Sequence, residues 1–410
     1  MARTLSFLLA AFFALPLAAQ EGARDITGSL SYLARIALPP DAEISVTARG
    51  AFDTVLGETQ FTTEGKQVPL PFSLTVPGGL SGQVDAFIRI GGTPRWIIRD
   101  VPFSAGETPV DLGELQLAPI TPLTFAAEYD CHGLPVAFGI LNDRAMLRVD
   151  GRDFEMQEEV SASGARYVSV DDPGTEFWSK GDEAMLTVEG QDMGRCVKVA
   201  PAEPPVYRAQ GNEPGWHALI GADIVELTAD YGARTHTEPR PDAQVSPGTY
   251  AFDMPQVDAR LTLQETLCHD GATGMPYPHS ATLLLGDRSL KGCGGDPTDL
   301  LTGAAWRIAD VGGQGVIDNV ETTIAFDADG RVSGRAGCNG FSGRFELTGE
   351  GLRFGRMVAT MMACAEEKMT QERRVLDALG AVRRFDIDAS GALLLIGGAE
   401  DAPILIARRS

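Results

Sequence analysis

Six cysteines constrain this 410-residue chain more than any other feature in it. They fall as neighbouring pairs: Cys131 with Cys196, Cys268 with Cys293, and Cys338 with Cys364. Six cysteines formally allow fifteen connectivities. If each segment closes its own bridge, only this local pairing remains. A second signal agrees with that segmentation. Residues 117–122 (LAPITP), 200–205 (APAEPP) and 294–297 (GGDP) read as connectors, and Pro204-Pro205 as a stiff spacer. They cut the chain into segments of roughly 80 to 115 residues, an ordinary domain size, and each of the last three holds one cysteine pair. Closing loops of ~26 to ~66 residues stabilises a domain by roughly 3 to 4.5 kcal/mol on the chain-entropy account.

Disulfides need an oxidising compartment, and the N-terminus supplies the route. Arg3 precedes a charge-free apolar run, 5–19, that ends in small residues. That is the pattern of a signal peptide over 1–19, too short to span a bilayer comfortably. Its retention as an anchor is the alternative. The first cysteine is Cys131, so no lipid can be attached at the expected cleavage site. No later stretch reads as a transmembrane segment, and a periplasmic location is expected. A mature chain of ~390 residues exceeds one core, and two to four domains are expected. The net charge of −22 disfavours nucleic acid and anionic membranes as partners and favours basic proteins.

Most of the chain reads as strands. Residues 44–48, 87–90 and 145–149 alternate or run apolar between Gly, Pro, Asp and Asn. Asp329-Gly330 marks a hairpin. One segment reads as a helix, 370–384, with Thr370 as its cap, Val375, Leu376, Leu379 and Val382 on one face, and Gln371, Glu372, Arg373 and Arg374 polar.

Catalytic motifs are missing: no phosphate-binding glycine loop with its lysine, no HExxH, no GxSxG. The histidines, at 132, 217, 236, 269 and 279, are scattered. Cys268, His269 and Cys293 lack a fourth ligand for zinc, and the run from Asp386 has Gly397 where a calcium loop needs Glu. The chain is therefore read as no enzyme, with no metal and no cofactor.

The informative stretch is 161–184, SASGARYVSVDDPGTEFWSKGDEA. It reads as a hairpin anchored by aromatic residues, with Ser163 and Lys180 on facing arms. Taken singly, the first is a turn residue and the second a solvated charge. With Tyr129-Asp-Cys131 before it and Gly194-Arg-Cys196 after it, the segment closely resembles the membrane-bound inhibitor of C-type lysozyme (MliC) family over about 125–199. The resemblance implies that Ser163 and Lys180 enter the lysozyme cleft, with Tyr167 as part of the binding motif, and that a C-type lysozyme is the partner. The Asp171-Asp172-Pro173-Gly174 loop looks long for the family and puts the spacing of Ser163 and Lys180 in doubt. The family name also implies a lipid anchor, which this chain lacks. A Ser–Lys hydrolase would need Lys180 desolvated, whereas Glu176, Asp182 and Glu183 keep a lysine charged.

Three further resemblances complete the chain. ITGSLSY (26–32) and ALPPDAEISVTA (37–48) resemble the YbaY family, related to type III secretion lipoprotein chaperones. GNEPGW (211–216), CHD (268–270), MPYP (275–278) and GCGGDP (292–297) resemble an uncharacterised family of bacterial envelope proteins. Here Asn212, Glu213 and Trp216 form either a ligand patch or a turn with a core tryptophan. Trp306, GRAGCNGF (334–341), TMMAC (360–364) and a helix near Gln371 resemble the META domain of HslJ, a family linked to envelope stress. The chain is thus expected to be mainly β: tandem small β-sandwich or β-barrel domains with a C-terminal α+β domain, one disulfide in each of the last three. Its boundaries are read as a signal peptide at 1–19 and domains at 20–118, 123–200, 206–297 and 299–410. The function expected is lysozyme inhibition by a periplasmic multidomain binding protein. The rival is a structural or stress-related interaction protein of the envelope.

Overall fold

The computed structural model describes residues 22–200, 205–349, 351–398 and 401–409. The signal segment and residues 201–204 of the second connector lie outside them. The fold is mainly β, and it divides into two compact units, one running to Ala118 and the other from Pro119.

The first unit holds two sheets. In one, strand Ala23–Ser31 lies between Leu70–Pro77, antiparallel, and Val110–Gln116, parallel. In the other, Glu43–Arg49 and Gly82–Ile90 pair at the centre of five strands. Strict alternation sends Ile44, Val46 and Ala48, and then Val84, Ala86 and Ile88, into the core.

The second unit begins with a closed barrel of eight antiparallel strands, from Ala127–Cys131 to Gln191–Lys198. Its core is aromatic. Phe177, fully buried, stacks on Phe138 at 4.6 Å and meets Tyr129 edge-on at 5.2 Å. The closing seam is short, with register pairs Val197↔Asp130 and Lys198↔Tyr129. The Cys131–Cys196 disulfide sits one pair further along and extends the seam covalently.

A nine-stranded antiparallel sheet follows, from Tyr207–Asn212 to Arg288–Gly294. The Cys268–Cys293 bridge pins a small hairpin, Cys268–His269 with Pro276–Tyr277, against it. Both sulfurs are used in that bond, which leaves neither cysteine as a zinc ligand. The hairpin also reaches onward. Met275 is 6% exposed and belongs to the same core as Trp306, Phe341 and Val375, and His269 Nε2 meets Asp386 Oδ1 at 2.8 Å.

The last sheet carries the helix Glu366–Ala381 and the third disulfide, Cys338–Cys364. The Asp329-Gly330 hairpin forms as expected, with Phe326 opposite Val332. Asp388 accepts from Ser390 and Ala392 and makes the Asp386 run a turn. The helix departs from the sequence reading at both ends. It starts at Glu366, so Thr370 lies within it and caps nothing. It stops at Ala381, because Val382 begins the strand Val382–Ile387 that pairs with Leu393–Gly397. Gln371 and Glu372 are not on a solvent face either: they are 2% and 7% exposed. Glu372 accepts from the backbone N–H (2.9 Å) and side-chain amide (3.1 Å) of Asn339, and Gln371 bonds Ile317 N and Thr322 Oγ1. Glu372 is buried here because Asn339 presents donors that must be satisfied, and Gln371 because it satisfies Ile317 N.

Candidate functional site

Ser163 and Lys180 come together at one end of the barrel. Strands Ala165–Ser169 and Glu176–Lys180 pair in continuous register, Ala165↔Ser179 through Val168↔Glu176. Ser163 lies in the turn just before the first strand, and Lys180 ends the second. The arms approach closely at Gly164, whose φ is +73°. A Cβ there would collide with the Ser179 carbonyl and stand 3.3 Å from Lys180 Cβ. Only glycine fits both the conformation and the gap.

The turn is braced. Ser161 Oγ donates to the Gly164 carbonyl at 2.8 Å, and Trp178 Nε1 donates to the Ser163 carbonyl at 2.8 Å. Phe177 points into the barrel, so its neighbour Trp178 points out, 39% exposed, where its indole N–H reaches the turn. The sequence reading singles out neither this brace nor the ion pairs below. The adjacency of Phe177 and Trp178 on a strand, one in and one out, is the signal that could have found the brace.

The Asp171–Gly174 loop lies at the opposite end of the hairpin. It is folded on itself, with Gly174 N donating to Asp172 Oδ1 and Thr175 N to Asp172 O. The register beside Ser163 and Lys180 carries no bulge.

Both Ser163 and Lys180 are exposed. Two of the carboxylates named around Lys180 are engaged elsewhere. Arg166 takes Glu176 in two 2.8 Å contacts and Glu159 in one of 2.7 Å, and Arg195 takes Glu183. The Arg166 guanidinium holds the Glu176 carboxyl below the usual range. Among the described residues Lys180 stands in no ion pair. Its side chain is exposed, beside a turn braced by the Ser161 and Trp178 hydrogen bonds.

Tyr167 is placed differently. Its ring is 7% exposed and packs on Phe138 at 4.8 Å inside the barrel. A ring so buried anchors the strand that follows Ser163 and, unlike Ser163 and Lys180, leaves almost no surface exposed.

In the third cluster, Asn212, Glu213 and Trp216, the tryptophan takes a core position. Trp216 is 3% exposed and donates to the Lys291 carbonyl, while Asn212 donates to Asp270 Oδ2 at 2.9 Å. Asp270 also takes Ala272 N and Thr273 N, and these bonds hold its carboxyl below the usual range against the opposing effect of burial. Asn212, Glu213 and Asp270, with Gln264, Ser280 and Lys291, line a half-open cleft of about 680 Å³. Among the described residues no group of three or more His, Cys, Asp or Glu is arranged to hold a metal ion, and no helix is long and apolar enough to cross a membrane.

Fold and site together define a chain of tandem β domains, one of them a disulfide-closed barrel presenting a serine and an unpaired lysine. Comparison with known families puts descriptions on three of these regions. Residues 129–194 match the membrane-bound lysozyme-inhibitor of c-type lysozyme, 299–410 the META domain, and 21–99 the type III secretion system lipoprotein chaperone YscW. A YscW/YbaY-like, an MliC and a META domain thus occur in one chain, and the region between the last two has no family assigned. The matched descriptions are of binding and inhibitor domains, and none names a reaction. No curated protein matches the chain. Among solved structures, an alternative pilotin from the type II secretion system of Vibrio cholerae is 27% identical, covering 24% of this chain and 98% of its own, with a TM-score of 0.21. A protein from Burkholderia xenovorans, solved by NMR, is 26% identical, covering 28% of this chain and 86% of its own, with a TM-score of 0.24.

Proposed function

We propose that this protein is a periplasmic, multidomain binding protein whose barrel, residues 123–200, inhibits a C-type lysozyme by placing Ser163 and Lys180 in the active-site cleft. The observation that carries the reading is the exposed, unpaired Lys180 ammonium on a braced tip beside Ser163, within a barrel whose family is that of lysozyme inhibitors. The matched families, a membrane-bound inhibitor and a secretion-system lipoprotein chaperone, support a place outside the cytoplasm. The other domains, at 20–118, 206–297 and 299–410, would supply envelope contacts.

The chemistry follows from what the target must contain. A retaining lysozyme works with two carboxyl groups about 5–5.5 Å apart across the scissile bond. An ammonium and a hydroxyl between them block the sugar and satisfy both groups. Charge-assisted hydrogen bonds of this kind contribute about 1.5–3 kcal/mol each. Tyr167 acts from behind, by holding its strand.

Lys180→Ala is expected to weaken binding at least ~10-fold with the fold intact, and Ser163→Ala to weaken it less. The check is the dissociation constant for lysozyme beside the far-ultraviolet circular dichroism of each variant. If both bind as the parent does, the proposed contacts are wrong.

A further inference from the structure

We propose that Arg195 is a positioning residue for Lys180: it holds the Glu183 carboxylate and so leaves the Lys180 ammonium unneutralised. This rests on the reading of Lys180 as the group that meets the lysozyme carboxyls.

The argument starts from register. Strands Glu176–Lys180 and Glu183–Val188 are joined by the two-residue turn Gly181-Asp182, and Lys180 stands directly opposite Glu183. Side chains directly opposite in an antiparallel pair have Cβ atoms about 4.5–5.5 Å apart, and opposite charges there attract. Lys180 and Glu183 share the outer face with Trp178 and Met185, since Phe177, Ala184 and Leu186 point inward. Left alone, Lys180 and Glu183 would pair and cancel the charge offered to the partner.

The next strand prevents it. Met185 is opposite Arg195 and Glu183 is opposite Val197, so Arg195 reaches Glu183 along the diagonal of the same face. Its Nη2 contacts Glu183 Oε1. Val197 offers no competing charge. On the far side Arg166 holds Glu176, at the other end of the strand from Lys180. Asp182 lies with Gly181 in the turn that follows Lys180. Arginine suits the role because its planar fork holds a carboxylate while it remains charged at all relevant pH values.

Two readouts test this on the full mature chain. The first is lysozyme binding by the parent, Arg195→Ala and Arg195→Ala/Glu183→Gln. Freeing Glu183 to pair with Lys180 is expected to cost about two- to fivefold in affinity, the strength of an exposed ion pair. Neutralising Glu183 in the same background is expected to return it to the parent value. A double variant as weak as the single one would mean that Arg195 touches the lysozyme itself, which overturns the proposal. So would an Arg195→Ala variant that binds as the parent does.

The second readout needs no lysozyme: the rate at which an acetylating reagent labels Lys180, followed by peptide mass spectrometry. Labelling is expected to slow in Arg195→Ala and recover in the double variant, and equal rates in all three overturn the clamp. If the parent fails to bind lysozyme while the rates change as stated, the clamp stands and the functional reading falls.

Discussion

At Ser163 the fold holds the backbone carbonyl and leaves the hydroxyl free. Trp178 Nε1 supplies the hold at 2.8 Å, from a side chain still 39% exposed. Trp178→Phe keeps a ring on the strand and removes the donor. It is expected to weaken lysozyme binding about three- to tenfold, one hydrogen bond of preorganisation, with the melting temperature little changed. Parent-like affinity would show that the brace is dispensable. A second residue, His279, makes a pH-dependent contribution. Burial pushes its imidazole down to about 4, and its Nδ1 lies 2.9 Å from the Tyr207 hydroxyl, whose own ionisation burial pushes up. Unfolded, the ring takes a proton near pH 6.5. Between those values the unfolded chain holds the extra proton, so stability is whole above about 6.5 and falls as pH drops towards 4. Titration of the His279 ring protons by NMR is expected to give a midpoint near 4, and an ordinary midpoint near 6.5 would contradict the burial argument. At this scale the nearness of Ser163 and Lys180 is legible in the sequence because the two lie on one hairpin. Arg195 is not, because its partner lies diagonally across a strand pair. The burial of Gln371 and Glu372 is hidden for a related reason: a polar residue on a helix reads as solvent-facing unless a distant acceptor or donor, here Asn339, is known.

Elements are legible where periodicity alone decides them and obscure where tertiary packing does. Alternation marks the strands at 44–48 and 145–149, and turn chemistry the hairpin at Asp329-Gly330. The helix ends escape it: apolar spacing continues through Val382, but that residue is claimed by a sheet partner, Gly397. Barrel closure is equally illegible, since it depends on a first strand meeting an eighth. The seam there has the register pairs Val197↔Asp130 and Lys198↔Tyr129, with Cys131–Cys196 beside them. Replacing both cysteines with alanine is expected to cost about 4 kcal/mol, from the loop of ~66 residues that the bridge closes. Hydrogen exchange checks it: amides of Ala127–Cys131 and Gln191–Lys198 should lose protection first. Uniform protection equal to the parent would show that the seam is held by its backbone pairs alone.

For the whole molecule, strand patterning and cysteine spacing are enough to read the mainly β, disulfide-bridged class from the sequence. They do not reveal that the hairpin carrying Met275 contributes to the core around Trp306 and Val375, because that packing depends on side chains far apart in sequence. The net charge of −22 belongs to this scale too: it attracts a basic partner at long range, and salt weakens that attraction. The most direct measurement is the rate at which a C-type lysozyme clears a cell-wall suspension as the oxidised mature protein is titrated in at moderate salt. The account predicts stoichiometric inhibition at submicromolar concentration, weakened by added salt and lost in Lys180→Ala. Full lysozyme activity in the presence of excess protein with intact disulfides would contradict it.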